Sequence, residues 1–222
     1  MEFWGERWRA EIVGPLTRVL RGEFGRRSDN ARVSRARGTA TIPRTLAAFD
    51  PARDLAELRA LYDEIEGLRE RDAAFLAALA PARSAWSIEQ HLAHVALANE
   101  LVLRNIASLV AGKGALIVRD AAPDPRALEV LVRGYIPRGV ARSPRMVRPP
   151  ERVDPALLLQ WLADGRAALE ALDPATVVAT ELRIPHQLLG PLDAPQWARF
   201  GAVHTRHHLE IVREIAADRI SR

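Results

Sequence analysis

The sequence predicts an all-α protein, a four-helix bundle, on three observations. Four long segments carry apolar residues at helical spacing with polar residues between them. Each segment is bracketed by residues that start or stop helices. A connection of about forty residues separates the second segment from the third, long enough for a crossover between parallel helices.

The chain divides into residues 1–45, an N-terminal helix and Arg-rich linker, and residues 46–222, the bundle. In the first part Phe3, Trp4, Trp8, Ile12, Leu16, Val19 and Leu20 suit an amphipathic helix interrupted at Gly14-Pro15. The stretch from Arg21 to Arg44 is rich in Arg, Gly and Ser without periodicity and reads as a linker. The tryptophans suit packing against the bundle or a partner subunit. The first bundle helix starts at Asp50-Pro51, a capping residue followed by a proline at the first helical position. Leu55, Leu58, Leu61, Tyr62, Ile65, Leu68, Phe75, Leu76 and Leu79 form one stripe, which predicts a single helix of about eight turns.

The second helix opens at Ser87 with Gln90 in the capping-box position and runs through Ile88, Leu92, Val95, Val102, Ile106 and Leu109 to Gly112-Lys113-Gly114. In the connection that follows, Asp124-Pro125 starts one short helix through Leu128, Leu131 and Val132. Arg133, Arg138, Arg142, Arg145 and Arg148 make the connection either a solvated crossover or a lid whose arginines meet an anionic group. The third helix starts at Asp154-Pro155, carries Leu158, Trp161, Leu162, Leu169 and Leu172, and stops at Asp173-Pro174. The fourth begins near Asp193, with Pro195 in its first turn and Gln196 in the capping-box position, and aligns Trp197, Phe200, Ile211 and Ile215.

Composition narrows the chemistry. The 222 residues are 48% hydrophobic and 27% charged with a net charge of +4, which excludes a disordered or fibrous chain. With no cysteine, disulfides, thiolate-held zinc, iron–sulfur clusters and an internal thiol nucleophile are excluded. The isoelectric point of about 10.4 reflects arginine in place of lysine, Lys113 being the only lysine, rather than a large charge excess. No apolar run approaches a membrane span and the charged N-terminus does not suit a signal peptide, so the expected location is the cytoplasm.

Six histidines, at positions 91, 94, 186, 204, 207 and 208, are the informative feature, because five fall on two helices. His204 and His208 are one turn apart, with Cβ atoms about 6 Å apart. Trp197, Phe200, Ile211 and Ile215 lie within about 40° of His204 around the helix, so both rings aim into the bundle. Imidazoles in an apolar interior need hydrogen-bond or metal partners. A zincin metalloprotease is disfavoured because Thr205 stands where its glutamate would follow the first histidine. On the second helix His91 lies about 40° and His94 about 100° from the centre of the apolar stripe; periodicity favours His91 without excluding His94.

The run Trp86-Ser87-Ile88-Glu89-Gln90-His91-Leu92-Ala93-His94, together with His204-Thr205-Arg206-His207-His208, resembles the DinB/YfiT-like superfamily of metal-dependent four-helix bundles. His186 to Leu209, with Gly190-Pro191-Leu192 and Trp197, is similar to one branch of it. The resemblance covers about residues 48–218 and implies an up-down-down-up bundle. It also implies that His94, His204 and His208 are ligands of a divalent metal ion, Zn or Ni, with His91 and His207 as neighbours. It implies enzymes that use a low-molecular-weight thiol cosubstrate in transferase or isomerase reactions, and homodimers.

The expected function is thus a metal-dependent transferase acting on a small-molecule substrate. The alternatives are a metal-dependent hydrolase and a non-enzymatic helical binding or structural bundle. Nucleic-acid binding through residues 21–44 is the weaker reading and a membrane partner is not expected. Glu89, Glu100 and Glu210 are candidate acids near the histidines or simple surface residues, and no residue is assigned as catalytic.

Overall fold

The computed structural model describes residues 49–220, apart from residues 120, 123, 140 and 141; the N-terminal helix and linker expected over 1–45 lie outside them. Helix α1, Pro51–Arg69, starts where Asp50 accepts a hydrogen bond from the Arg53 amide. The expected eight-turn helix ends there. Asp72 accepts from the Phe75 amide at 2.7 Å and caps a separate turn, α2, Ala73–Leu76. An Asp that satisfies backbone N–H groups with its own side chain favours a helix start over a helix interior. Phe75 is still buried, but Leu79, the last residue of the expected stripe, is 49% exposed.

Helix α3, Ile88–Ala111, opens with the full reciprocal capping box of Ser87 and Gln90 and closes at Gly112, whose φ of 65° is the left-handed conformation that ends many helices. In the connection, α4 spans Pro125–Arg133 and a single 3-10 turn spans Arg145–Val147. Helix α5, Pro155–Glu170, starts at Asp154, and a second 3-10 turn follows at Pro174–Thr176. A small antiparallel hairpin, β1 (Ile184–His186) and β2 (Gly190–Leu192), then leads into α6, Ala194–Ile220. The Asp193 carboxylate accepts from the Gln196 amide and the Gln196 side chain accepts from the Asp193 amide, both at 3.0 Å.

Side-chain pairs give the helix directions. Arg199 with Asp54, Arg206 with Glu57 and Arg213 with Glu64 advance together along α6 and α1, so these two are parallel. Asn99 meets Thr205 whereas His91 meets His208, so α3 runs against α6. Arg166 reaches Glu66 while Arg59 reaches the Leu169 carbonyl, so α5 runs against α1. The bundle is therefore up-down-down-up, and the long connection joins the parallel α3 and α5 as a crossover. Its core includes Leu55, Leu58, Ile65, Leu92, Ile106 and Leu162, all essentially inaccessible, each contributing about 1.5–3 kcal/mol of hydrophobic burial. No helix among the described residues is long and apolar enough to cross a membrane.

Candidate metal centre

Because α3 and α6 are antiparallel, the first turns of one lie beside the later turns of the other. The Ser87–Gln90 box fixes where α3 begins, and His91 and His94 follow within two turns. His94, His204 and His208 come together, each offering one ring nitrogen, and these nitrogens lie within 4.8 Å of one another. His94 Nε2 and His204 Nε2 are 3.2 Å apart. The three ring centroids are separated by 4.5, 4.6 and 5.1 Å.

The second ring nitrogens define what remains available. His94 Nδ1 donates to the Val147 carbonyl at 2.7 Å, so in the neutral ring Nε2 carries the lone pair that points at His204. His208 Nδ1 lies 3.0 Å from His91 Nδ1, and His91 Nε2 lies 2.9 Å from Ser84 Oγ. If His208 offers Nε2 to an ion, its Nδ1–H donates to His91, and His91 in turn donates to Ser84. His204 Nδ1 is buried with no hydrogen-bond partner among the described residues, its ring stacked on Phe200. Trp86 lies across the group, 5.0 Å from the His94 ring and 6.3 Å from that of His208.

Burial keeps these rings neutral. Desolvation brings His91 down to about 3 and His94 down to about 4, although the Val147 carbonyl opposes the shift at His94. His204 and His208 lie well below the ordinary histidine range, first through burial and then through the charge of neighbouring rings, His94 foremost at His204 and His204 foremost at His208. Neutral imidazoles can each offer a lone pair to an ion without first losing the second ring proton. Two nitrogens bound tetrahedrally at the usual zinc distance are about 3.3 Å apart, close to the His94–His204 separation. The three residues can hold a divalent ion, and an all-nitrogen set suits Zn, Ni, Cu or Fe.

A cavity of about 340 Å³ reaches the cluster at His208, and its wall includes His91, Trp86 and Ser84. That volume is within the range of small-molecule sites. The family model of the DinB superfamily matches residues 72–212, a span that contains the whole cluster and its supporting contacts. This chain belongs to the DinB superfamily. No curated protein and no solved structure matches it.

In this DinB-superfamily chain, the histidine that periodicity favoured on α3, His91, stands behind the cluster and His94 stands in it. The helical wheel could not rank them because His91 through Asn99 are buried without a break. His207 packs edge-on against His208 at the cavity wall, and His186 lies apart on β1, against Trp197 and Phe200. Glu100 pairs with Arg104, and neither it, Glu89 nor Glu210 lines the cavity. The Val147 carbonyl had no sequence signal, since any residue supplies one. Ser84 and the covering position of Trp86 are equally invisible to spacing, although Trp86 marks the motif.

Proposed function

We propose that the protein is a metal-dependent enzyme in which His94, His204 and His208 hold one divalent ion, Zn or Ni, for group transfer with a low-molecular-weight thiol cosubstrate. The observation that carries this reading is the convergence of one ring nitrogen from each of three neutral imidazoles beside a cavity of ligand size. Bound there, a divalent ion supplies Lewis acidity, which brings the pKa of a thiol or of water toward neutrality.

The chain's own residues have definable tasks. Val147 holds His94 in one tautomer, and Ser84 and His91 do the same for His208 in sequence. Trp86 covers the rings and limits water access. Three protein ligands beside a cavity suit a catalytic site, where a structural site would close with four. Thiol transfer is favoured over hydrolysis because among the described residues no carboxylate lines the cavity to act as a general base for water, whereas a thiolate is nucleophilic without one.

The test is a panel of thiols with 1-chloro-2,4-dinitrobenzene as a model electrophile, using protein loaded with Zn or Ni. Thioether formation that needs both ion and thiol, and that disappears in His208→Ala, is the expected result. Metal-loaded protein inert toward every thiol, yet cleaving an activated ester without one, would replace the transferase reading with the hydrolase.

A further inference from the structure

Among the described residues the cavity wall carries four arginines, Arg83, Arg138, Arg142 and Arg148, and no carboxylate. They fall into two classes. Arg138 makes a two-point contact with Glu214 at 2.8 Å, and Arg83 reaches Asp218 at 3.1 Å and Glu214 at 3.5 Å. These two guanidiniums are neutralised from outside the cavity. Arg142 and Arg148 have no carboxylate partner among the described residues; the one hydrogen bond of the Arg148 guanidinium goes to the Ser143 carbonyl, at 3.5 Å. Two uncompensated cations therefore face a concave space that also touches His208.

From this arrangement we infer that the cavity binds the carboxylate of a small acidic molecule through Arg142 and Arg148, with the rest of that molecule directed toward the histidines. The inference names the substrate class of the site proposed above and rests on that reading for its chemistry, though not for its binding. Guanidinium groups are suited to carboxylates because their N–H donors form a planar fork that matches the two oxygens. Three neutral imidazoles would leave an ion's two charges uncompensated as well, which adds to the demand for an anion. The carboxylate can sit on the thiol or on the molecule it attacks, and the two are separable by experiment.

Both arginines are exposed, so replacing them leaves the core intact. Isothermal titration of the full chain compares succinate with succinamide, and 3-mercaptopropionate with 3-mercaptopropionamide, each with metal-free and with Zn-loaded protein. The acid of at least one pair is expected to bind about tenfold or more tighter than its amide, the range of one charge-assisted contact. Arg142→Gln/Arg148→Gln should abolish the difference while taking up as much zinc as the unmodified protein, and each single variant should lose part of it. Preference within the thiol pair alone places the carboxylate on the cosubstrate; preference for succinate places it on the other substrate. Equal binding of acid and amide in both pairs, or a preference that survives in the double variant, overturns the inference. A chain that takes up no zinc but still prefers succinate would refute the metal reading and leave this one standing.

Discussion

Helices α3 and α6 meet through polar side chains in two places, and the two differ in what they leave over. Asn99 and Thr205 are fully inaccessible and bond to each other twice, at 3.0 and 3.1 Å. Beside them, His94 and His208 are buried and His204 partly so; the Nε2 atoms of His94 and His204 touch, with the donor set by the His204 tautomer, and His204 Nδ1 has no hydrogen-bond partner among the described residues. A buried polar pair that closes on itself serves the fold. A buried polar group left without a partner is where a role beyond packing is looked for.

Acid separates the two layers most strongly. Burial lowers His94 to about 4 and His91, directly behind the cluster, to about 3 in the folded chain, against 6.5 when exposed. As pH falls below 6.5 the unfolded state takes up protons first, so stability is fully present above 6.5 and is lost on the way to pH 4–3. The metal-free protein should lose about 1.4 kcal/mol per pH unit for each such ring, several kcal/mol in all by pH 5. Urea denaturation at pH 7.5 and 5 measures this, and a flat profile would mean that the rings are solvated.

Adding zinc should have the next largest effect. At about 1,000 times its dissociation constant it should stabilise the chain by about 4 kcal/mol. Thr205→Val should keep that gain and His208→Ala should lose it, as read from thermal denaturation with and without the ion. Without zinc, Thr205→Val should itself cost about 1–3 kcal/mol because Asn99 is left without its partner, and Asn99→Leu/Thr205→Val should recover much of the loss. The smallest effect belongs to Ser87→Ala, about 1 kcal/mol from loss of the cap, with zinc uptake unchanged. A large loss of uptake there would show that the cap positions His94 as well as starting its helix.

The helix starts were legible because capping is local chemistry: Asp50, Ser87, Asp154 and Asp193 all accept the amide bonds their positions suggested. The break after Arg69 was not legible, since the apolar stripe continues through Phe75 and Leu76 whichever way the chain turns. Nor was the hairpin at 184–192, whose three-residue strands are too short for alternation to register. The α6 histidines stood out because that helix has one buried face at their level. On α3, buried all round near its start, periodicity pointed to His91, and only the motif's resemblance to a family pointed to His94. Contacts through a backbone carbonyl, such as Val147, depend on chain path and leave no trace in residue type.

The most direct measurement is the metal stoichiometry of the purified chain beside that of His94→Ala and His91→Ala, by elemental analysis after loading with zinc and removal of excess. One equivalent in the unmodified chain, next to none in His94→Ala and a retained but weaker ion in His91→Ala, is the predicted result. Equal content in the unmodified chain and His94→Ala would show that the three rings grip nothing together.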